Sequence, residues 1–109
     1  MIDKRIYSLL GLAMKAGKIA SGEFMTEKSV KSSLARLVIV AEDASANTRK
    51  QFTDMCAYYH VPLAFFGTKE GLGAALGKEL RASLAVNDAG FAKTLAQRIS
   101  AAGNETEVM

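Results

Sequence analysis

Strand-like and helix-like segments alternate along this chain, and the alternation predicts an α/β fold, a three-layer α/β/α sandwich. Two observations carry that expectation. Leu37-Val38-Ile39-Val40-Ala41 is an unbroken apolar run rich in β-branched side chains, the pattern of a strand covered on both faces. Around it, apolar residues recur at three- and four-residue steps in several separate stretches, the mark of helices with one buried side.

Ile2, Ile6, Leu9, Leu10, Ala13 and Met14 make residues 2–15 an amphipathic helix, and Gly17 stands where a left-handed residue would stop it. Lys18 to Ser21 reads as a short strand. Gly22 opens a second helix over 23–33, whose sparse apolar pattern (Met25, Val30, Leu34) predicts partial exposure. After the central strand, Ser45 is positioned to cap a third helix, with Phe52, Met55, Cys56 and Tyr59 on one side. Val61 to Phe66 follows as a strand, its single proline, Pro62, near the start where it costs no ladder bond. Thr68 caps a fourth helix carrying Leu72, Ala75, Leu76 and Leu80. Ala82 to Val86 is the last strand, and Asp88 caps a final helix with Phe91, Leu95 and Ile99 inward. Residues 1–100 are expected to form one domain, and 101–109, without periodicity, a flexible tail.

With 109 residues, half of them apolar, the chain can bury roughly two-thirds of its unfolded surface and needs no metal or disulfide to fold. One cysteine, Cys56, excludes an intrachain disulfide framework and a cysteine-clustered zinc site. No apolar run reaches the length of about eighteen residues that a membrane span requires, and Met1 to Arg5 carry no apolar signal core. The expectation is a cytoplasmic protein with no cofactor, no metal and no membrane partner. The net charge of +3, enough for solubility, points to a monomer.

That charge is unevenly spread. Residues 1–36 hold seven Lys and Arg against three acids, whereas 37–109 hold seven against eight. Clustered cations favour a polyanion, because each phosphate neutralised releases counterions; the alternative is that the lysines only solvate the backs of helices.

Two glycine–lysine segments invite a nucleotide-binding reading, and both fail. Gly11 to Lys18 has five residues between its glycines where a phosphate loop needs four, and Gly73 to Lys78 has three. Neither has the hydroxyl after lysine that would hold magnesium. Cys56 and His60, spaced i, i+4, lack the further ligands of a metal site, so a buried thiol and a helix-end imidazole are expected. Glu42, Asp43 and Asp88 are the only carboxylates suggesting a paired-acid site, and acids at strand ends more often cap helices. No catalytic constellation emerges, and an enzyme is not expected.

The segment from Ala20 to Lys31 carries more. A glycine at a helix entrance admits unusual backbone angles and close approach of another backbone. Behind it, the unpaired N–H groups of the first turn form an anion site. Lys28 and Lys31, spaced i, i+3, project to one side, although Glu23 early and lysines late in a helix are also what its dipole prefers.

Six stretches then add up to a resemblance: Leu10 to Lys18, Ser21-Gly22-Glu23, Leu37 to Ser45, Val61-Pro62, Leu72 to Gly77, and Ala85-Val86. Over residues 8–95 the chain resembles the L7Ae/L30e ribosomal protein superfamily, which binds kink-turns and related RNA bends, and most of all its small bacterial, YlxQ-type branch. The resemblance implies an α/β/α sandwich around a four-stranded mixed sheet and an RNA-binding role of the ribosomal or ribonucleoprotein kind, in translation. It implies that the helix entrance enters the RNA major groove, which maps onto Gly22, Lys28 and Lys31. A second wall maps onto Arg81, Ala82 and Ser83, and a third onto Asp43 and Ser45; Lys18 completes the set. The family's kink-turn readers carry an Asn-Glu pair two residues after the glycine, where this chain has Phe24 and Met25. Glu23 is the neighbouring polar group in a position to substitute, and Phe24 either stacks on an unpaired base or packs against the domain. The implied function is non-enzymatic stabilisation of a bent, kink-turn-like or ribosomal RNA, a population shift rather than a reaction. The second reading, prompted by the missing Asn-Glu pair, is a protein–protein adaptor on the same fold.

Overall fold

The computed structural model describes residues 2–103 together with 106–107. Five helices, α1 (Ile2–Lys15), α2 (Glu23–Lys31), α3 (Ala46–Tyr59), α4 (Lys69–Ala75) and α5 (Ala89–Ala101), alternate with β1 (Ile19–Ser21), β2 (Leu37–Val40), β3 (Leu63–Phe65), β4 (Ser83–Val86) and β5 (Thr106–Glu107). The order across the sheet is β1-β4-β2-β3-β5, with the β-branched run in the middle as its composition demands. Every residue of β2 is buried, so both faces of the strand are covered. It runs parallel to β3 and antiparallel to β4, and β4 is antiparallel to β1, which makes the expected four-stranded mixed sheet.

β5 is the departure. The stretch 101–109 was expected to be a tail, yet Ala101 closes α5, and Thr106 and Glu107 pair with Ala64 and Leu63 of β3. Strand β3 would otherwise present an unpaired edge, and such an edge accepts any short extended segment brought within reach. Residues 104, 105, 108 and 109, on which the expectation also falls, lie outside the described residues.

Helices cover both faces. α2 and α3 pack on each other, α2 also against β1 and β4 and α3 against β2 and β3; in the other layer α1 packs on α4 and α5, and α5 on β4. Their inward side chains, among them Ile6, Leu10, Phe52, Leu72, Leu95 and Ile99, are fully buried and form one continuous core with the strands. Cys56 is part of that core, and His60 is the exposed, left-handed residue that ends α3. No helix among the described residues is long and apolar enough to cross a membrane.

Both glycine–lysine pairs end helices. Gly17 N–H donates to Met14 O and Lys18 N–H to Ala13 O; Gly77 N–H donates to Ala74 O and Lys78 N–H to Gly73 O. With φ of 74° and 70° at the two glycines, each is a Schellman cap, which hands the last carbonyls of the helix to the turn beyond it. The second cap corrects the extent of the fourth helix. Leu80, expected on its buried side, lies past the stop and is 59% exposed.

The strand directions decide where the site can be. Ser21 pairs with Leu84, Val40 with Ser83, and Val40 with Phe65. The turns leaving β1, β2 and β3 and the turn entering β4 therefore meet at one end of the sheet. Lys18, Arg36 and Asn87 lie at the opposite end, joined by Asn87 N–H to Lys18 O and Arg36 N–H to Val86 O.

Candidate nucleic-acid interface

At the gathered end, Gly22 caps α2 with φ 92° and ψ 159°, a conformation that a side chain would strain, and no side-chain oxygen caps the helix. Its own N–H donates to Ser83 O at 2.9 Å, which ties the turn to β4. The first intrahelical bond is Thr26 N–H to Gly22 O, so the N–H groups of Glu23, Phe24 and Met25 have no acceptor within the helix. They point out of the domain at the positive end of the dipole, the arrangement that accepts an anion.

The inward and outward sides of α2 differ sharply. Thr26, Ser29 and Val30 are buried, whereas Phe24, Lys28 and Lys31, at i, i+4 and i+7, share the opposite side and are exposed. Phe24 is 76% exposed, which resolves the two alternatives for this side chain: it does not pack against the domain. Among the described residues Lys28 makes no side-chain hydrogen bond or ion pair. Lys31, by contrast, donates to Glu27 at 2.9 Å, and the hydrogen bond and charge of that carboxylate raise its ammonium pKa above the ordinary value.

Arg81 lies across the mouth. Its Nε donates to Ser21 Oγ at 3.2 Å and a terminal nitrogen donates to Leu80 O at 2.8 Å; a Cβ built on Gly22 would sit 4.0 Å from that Nε. The guanidinium is thus held beside the open N–H groups. Ala82 supports the site through its backbone, accepting from Ala41 N–H. Ser83 is buried, and its hydroxyl donates to Thr26 Oγ1 at 3.3 Å, so its side chain braces α2 and does not face solvent.

The third expected wall is built from helix caps. Asp43 accepts from Lys69 N–H at 2.8 Å, at the entrance of α4, and Ser45 accepts from Thr48 N–H as the N-cap of α3. Replacing Ser45 with alanine should lower stability by about 1 kcal/mol, the usual cost of an N-cap, read as a drop in the thermal midpoint. Asp88 caps α5 at the far end of the sheet, accepting from Phe91 N–H, so Glu42, Asp43 and Asp88 do not assemble into a carboxylate pair. Among the described residues no group of three His, Cys, Asp or Glu could hold a metal ion.

Of the ten candidates, then, Gly22, Glu23, Asp43, Ser45, Arg81, Ala82 and Ser83 come to one end of the domain. Lys28 and Lys31 both stand in the last turn of α2, Lys28 nearer the entrance, and Lys18 lies at the opposite end of the sheet. Two features were missed from sequence. Arg49, in the first turn of α3, donates to Glu42 O at 3.0 Å and stacks 4.8 Å from the centre of the Phe65 ring. Beneath α2 runs a polar seam, Ser83–Thr26 and Asn87–Ser29, in which Asn87 Oδ1 is buried with no partner among the described residues. The spacing of Thr26 and Ser29 was the available signal, a polar pair on the inward side of a weakly amphipathic helix.

Comparison with known proteins agrees with this architecture. The chain is 46% identical over 89 residues to the RNA-binding protein YlxQ of Bacillus subtilis (strain 168), covering 82% of this chain and 89% of that one. It is 38% identical over 90 residues to the RNA-binding protein YlxQ of Enterococcus faecium, 83% and 86% of the two chains. A Bacillus halodurans protein of unknown function superposes with a TM-score of 0.84 at 39% identity, over 87% of this chain and 96% of the other. The 15.5kD RNA binding protein of Giardia lamblia, 22% identical, shares the fold with a TM-score of 0.78 over 92% and 88%. The sequence profile of one family matches residues 4–96, and the chain accordingly belongs to the ribosomal protein L7Ae/L30e/S12e/Gadd45 family.

Proposed function

We propose that this chain is a non-enzymatic RNA-binding protein of the ribosomal-protein type, whose residues 1–100 act as one domain and whose main contact is the mouth of α2. The observation that carries the reading is the uncapped entrance at Gly22: three unpaired N–H groups beside Arg81 and the exposed ring of Phe24, with Lys28 further along the same exposed side of α2. The names of the two YlxQ relatives support RNA over a protein partner, and the adaptor reading is not favoured.

The target is a bent RNA, kink-turn-like or ribosomal. A sharp bend widens the otherwise narrow RNA major groove enough to admit a helix end. It also brings two phosphate backbones together, which repel one another unless cations intervene. Binding the bent form better than the straight one moves the population to it with no chemical step. Where other members read guanine and adenine edges with an Asn-Glu pair, Phe24 and Met25 offer an aromatic face and a thioether. Recognition therefore passes to the backbone N–H groups, Glu23, and stacking on Phe24. The protein acts as a monomer in the cytoplasm, with the ribosome as one setting for such an RNA.

Phe24→Ala isolates the stacking component. Its ring is mostly solvated, so thermal stability should hold, while affinity for a bulged RNA hairpin should fall by about 1–2 kcal/mol with an unchanged salt dependence. Fluorescence anisotropy at several salt concentrations reads both quantities. Unchanged affinity would remove Phe24 from the interface.

A further inference from the structure

A second cationic surface lies outside the α2 mouth. Lys4, Arg5, Ser8, Leu9 and Leu12 of α1 and Arg98 of α5 line a shallow groove between the two helices. Lys4, Arg5 and Arg98 are exposed, and among the described residues none of the three makes a side-chain ion pair or hydrogen bond. Among the described residues that line the groove there is no acid. Leu12, at 58% exposure, adds an apolar wall.

Stability does not account for these charges. Arg98, in the last turn of α5, suits the helix dipole, but Lys4 and Arg5 occupy the opening turns of α1, where the dipole disfavours cations. Three cations lining one groove also repel each other. Both costs vanish when an anion fills the groove.

The groove also faces the right way. α1 and α5 are antiparallel, Leu9 lying near Gly90, Phe91 and Thr94 while Lys4 and Arg5 lie near Arg98. Tyr7 touches Gly67 and Gly71, at the loop leaving β3, so the N-terminal half of α1 stands at the same end of the sheet as Gly22 and Arg81. A nucleic-acid strand leaving the α2 mouth and passing over that end meets the groove on the other helical layer.

We propose that the α1–α5 groove, through Lys4, Arg5 and Arg98, is a second phosphate-backbone site that holds a further segment of the RNA engaged at α2. The proposal rests on the RNA-binding reading of the α2 mouth and extends it. With contacts in both helical layers, the protein embraces an RNA across the end of its sheet. As a contact to the phosphate backbone, the groove adds affinity and orientation, not base specificity.

The test compares the full chain with the triple variant Lys4→Gln, Arg5→Gln, Arg98→Gln and with a control of equal charge, Lys50→Gln, Lys78→Gln, Lys93→Gln. The probe is a fluorescein-labelled bulged RNA hairpin with extended stems. Anisotropy measures affinity and its salt dependence, and amide chemical shifts of labelled protein map the contacts. The groove variant should bind at least tenfold more weakly at about 0.1 M salt, with a salt slope shallower by roughly 2.5, while the control changes far less. Amides of residues 4–12 and 98 should shift on addition of RNA, and circular dichroism should give unchanged melting for all three proteins. Shifts near Gly22 with none in α1 or α5, or equal affinity of variant and control, would overturn the groove while leaving the α2 site standing. An RNA that shifts neither region would overturn both.

Discussion

Replacing Gly73 with alanine should destabilise the domain by about 3 kcal/mol, lowering the thermal midpoint by more than 10 °C, although alanine is the better helix former by about 1 kcal/mol. Gly73 is buried in the middle of α4, and the chain folds back over it directly after the helix ends. Lys78 N–H donates to Gly73 O at 2.8 Å and Arg81 N–H to Lys69 O at 3.0 Å, which clamps residues 78–81 onto the helix. A Cβ at Gly73 would land on the carbonyl of Glu79, a backbone atom that cannot turn aside as a side chain would. The strap must lift or the helix must unwind. Either movement displaces Arg81, so RNA affinity should fall together with stability. Gly77→Ala is the comparison. Its Cβ would meet nothing within 4 Å, and the only cost is the left-handed backbone angle, about 1–2 kcal/mol. A Gly73→Ala protein melting within 2 °C of the parent, about 0.5 kcal/mol, would mean that the strap is not packed as described.

That strap shows how far the sequence could be read. Gly73-Ala-Ala-Leu-Gly77-Lys78 and Gly11 to Lys18 looked superficially like phosphate loops, and rejecting them on spacing was correct. The structure supplies the positive account, since both Gly-Lys pairs sit at the C-terminal, negative ends of helices, where a phosphate would be repelled. Periodicity found all five helices, and the caps at Ser45, Thr68 and Asp88 were legible because each is a short polar side chain just ahead of an apolar rhythm. Leu80 was misplaced because periodicity has no sense of a stop, and the glycine that ends α4 outweighs one further apolar residue in phase. β5 was invisible because two residues carry no pattern of their own and depend wholly on the open edge of β3. At the candidate site, the open helix entrance at Gly22 and the exposed side of α2 that carries Lys28 were legible from local spacing. Pair formation was not: Lys31 meets Glu27, Ser83 turns inward to Thr26, and Lys18 falls at the end of the sheet opposite Gly22 once β1 takes its register. Strand direction, which one sequence does not state, decides which turns become neighbours.

The strongest functional effect is expected from removing Arg81, beside the α2 mouth, together with Lys28 on the exposed side of the same helix. Lys28→Ala with Arg81→Ala should weaken binding to a bulged RNA hairpin roughly fifty-fold at about 0.1 M salt and reduce the slope of log affinity against log salt by nearly 2. The two residues differ in what else they do. Lys28 projects from the solvated side of α2 and holds nothing, so its loss should leave melting unchanged. Arg81 bonds to Ser21 Oγ and Leu80 O, so its loss also releases the turn before β4. Ser21→Ala separates these roles, because it removes the bond that ties the guanidinium to β1 while the bond to Leu80 O and the charge remain. If Arg81 acts as a cation, Ser21→Ala should keep the salt slope and lose only a few-fold in affinity; if Arg81 acts only as a brace, Ser21→Ala and Arg81→Ala should be equally harmful and the slope should not move. A double variant that binds as the parent does, with the same salt dependence, would leave the unpaired N–H groups of α2 without cationic neighbours that matter and would remove the α2 mouth as the RNA contact.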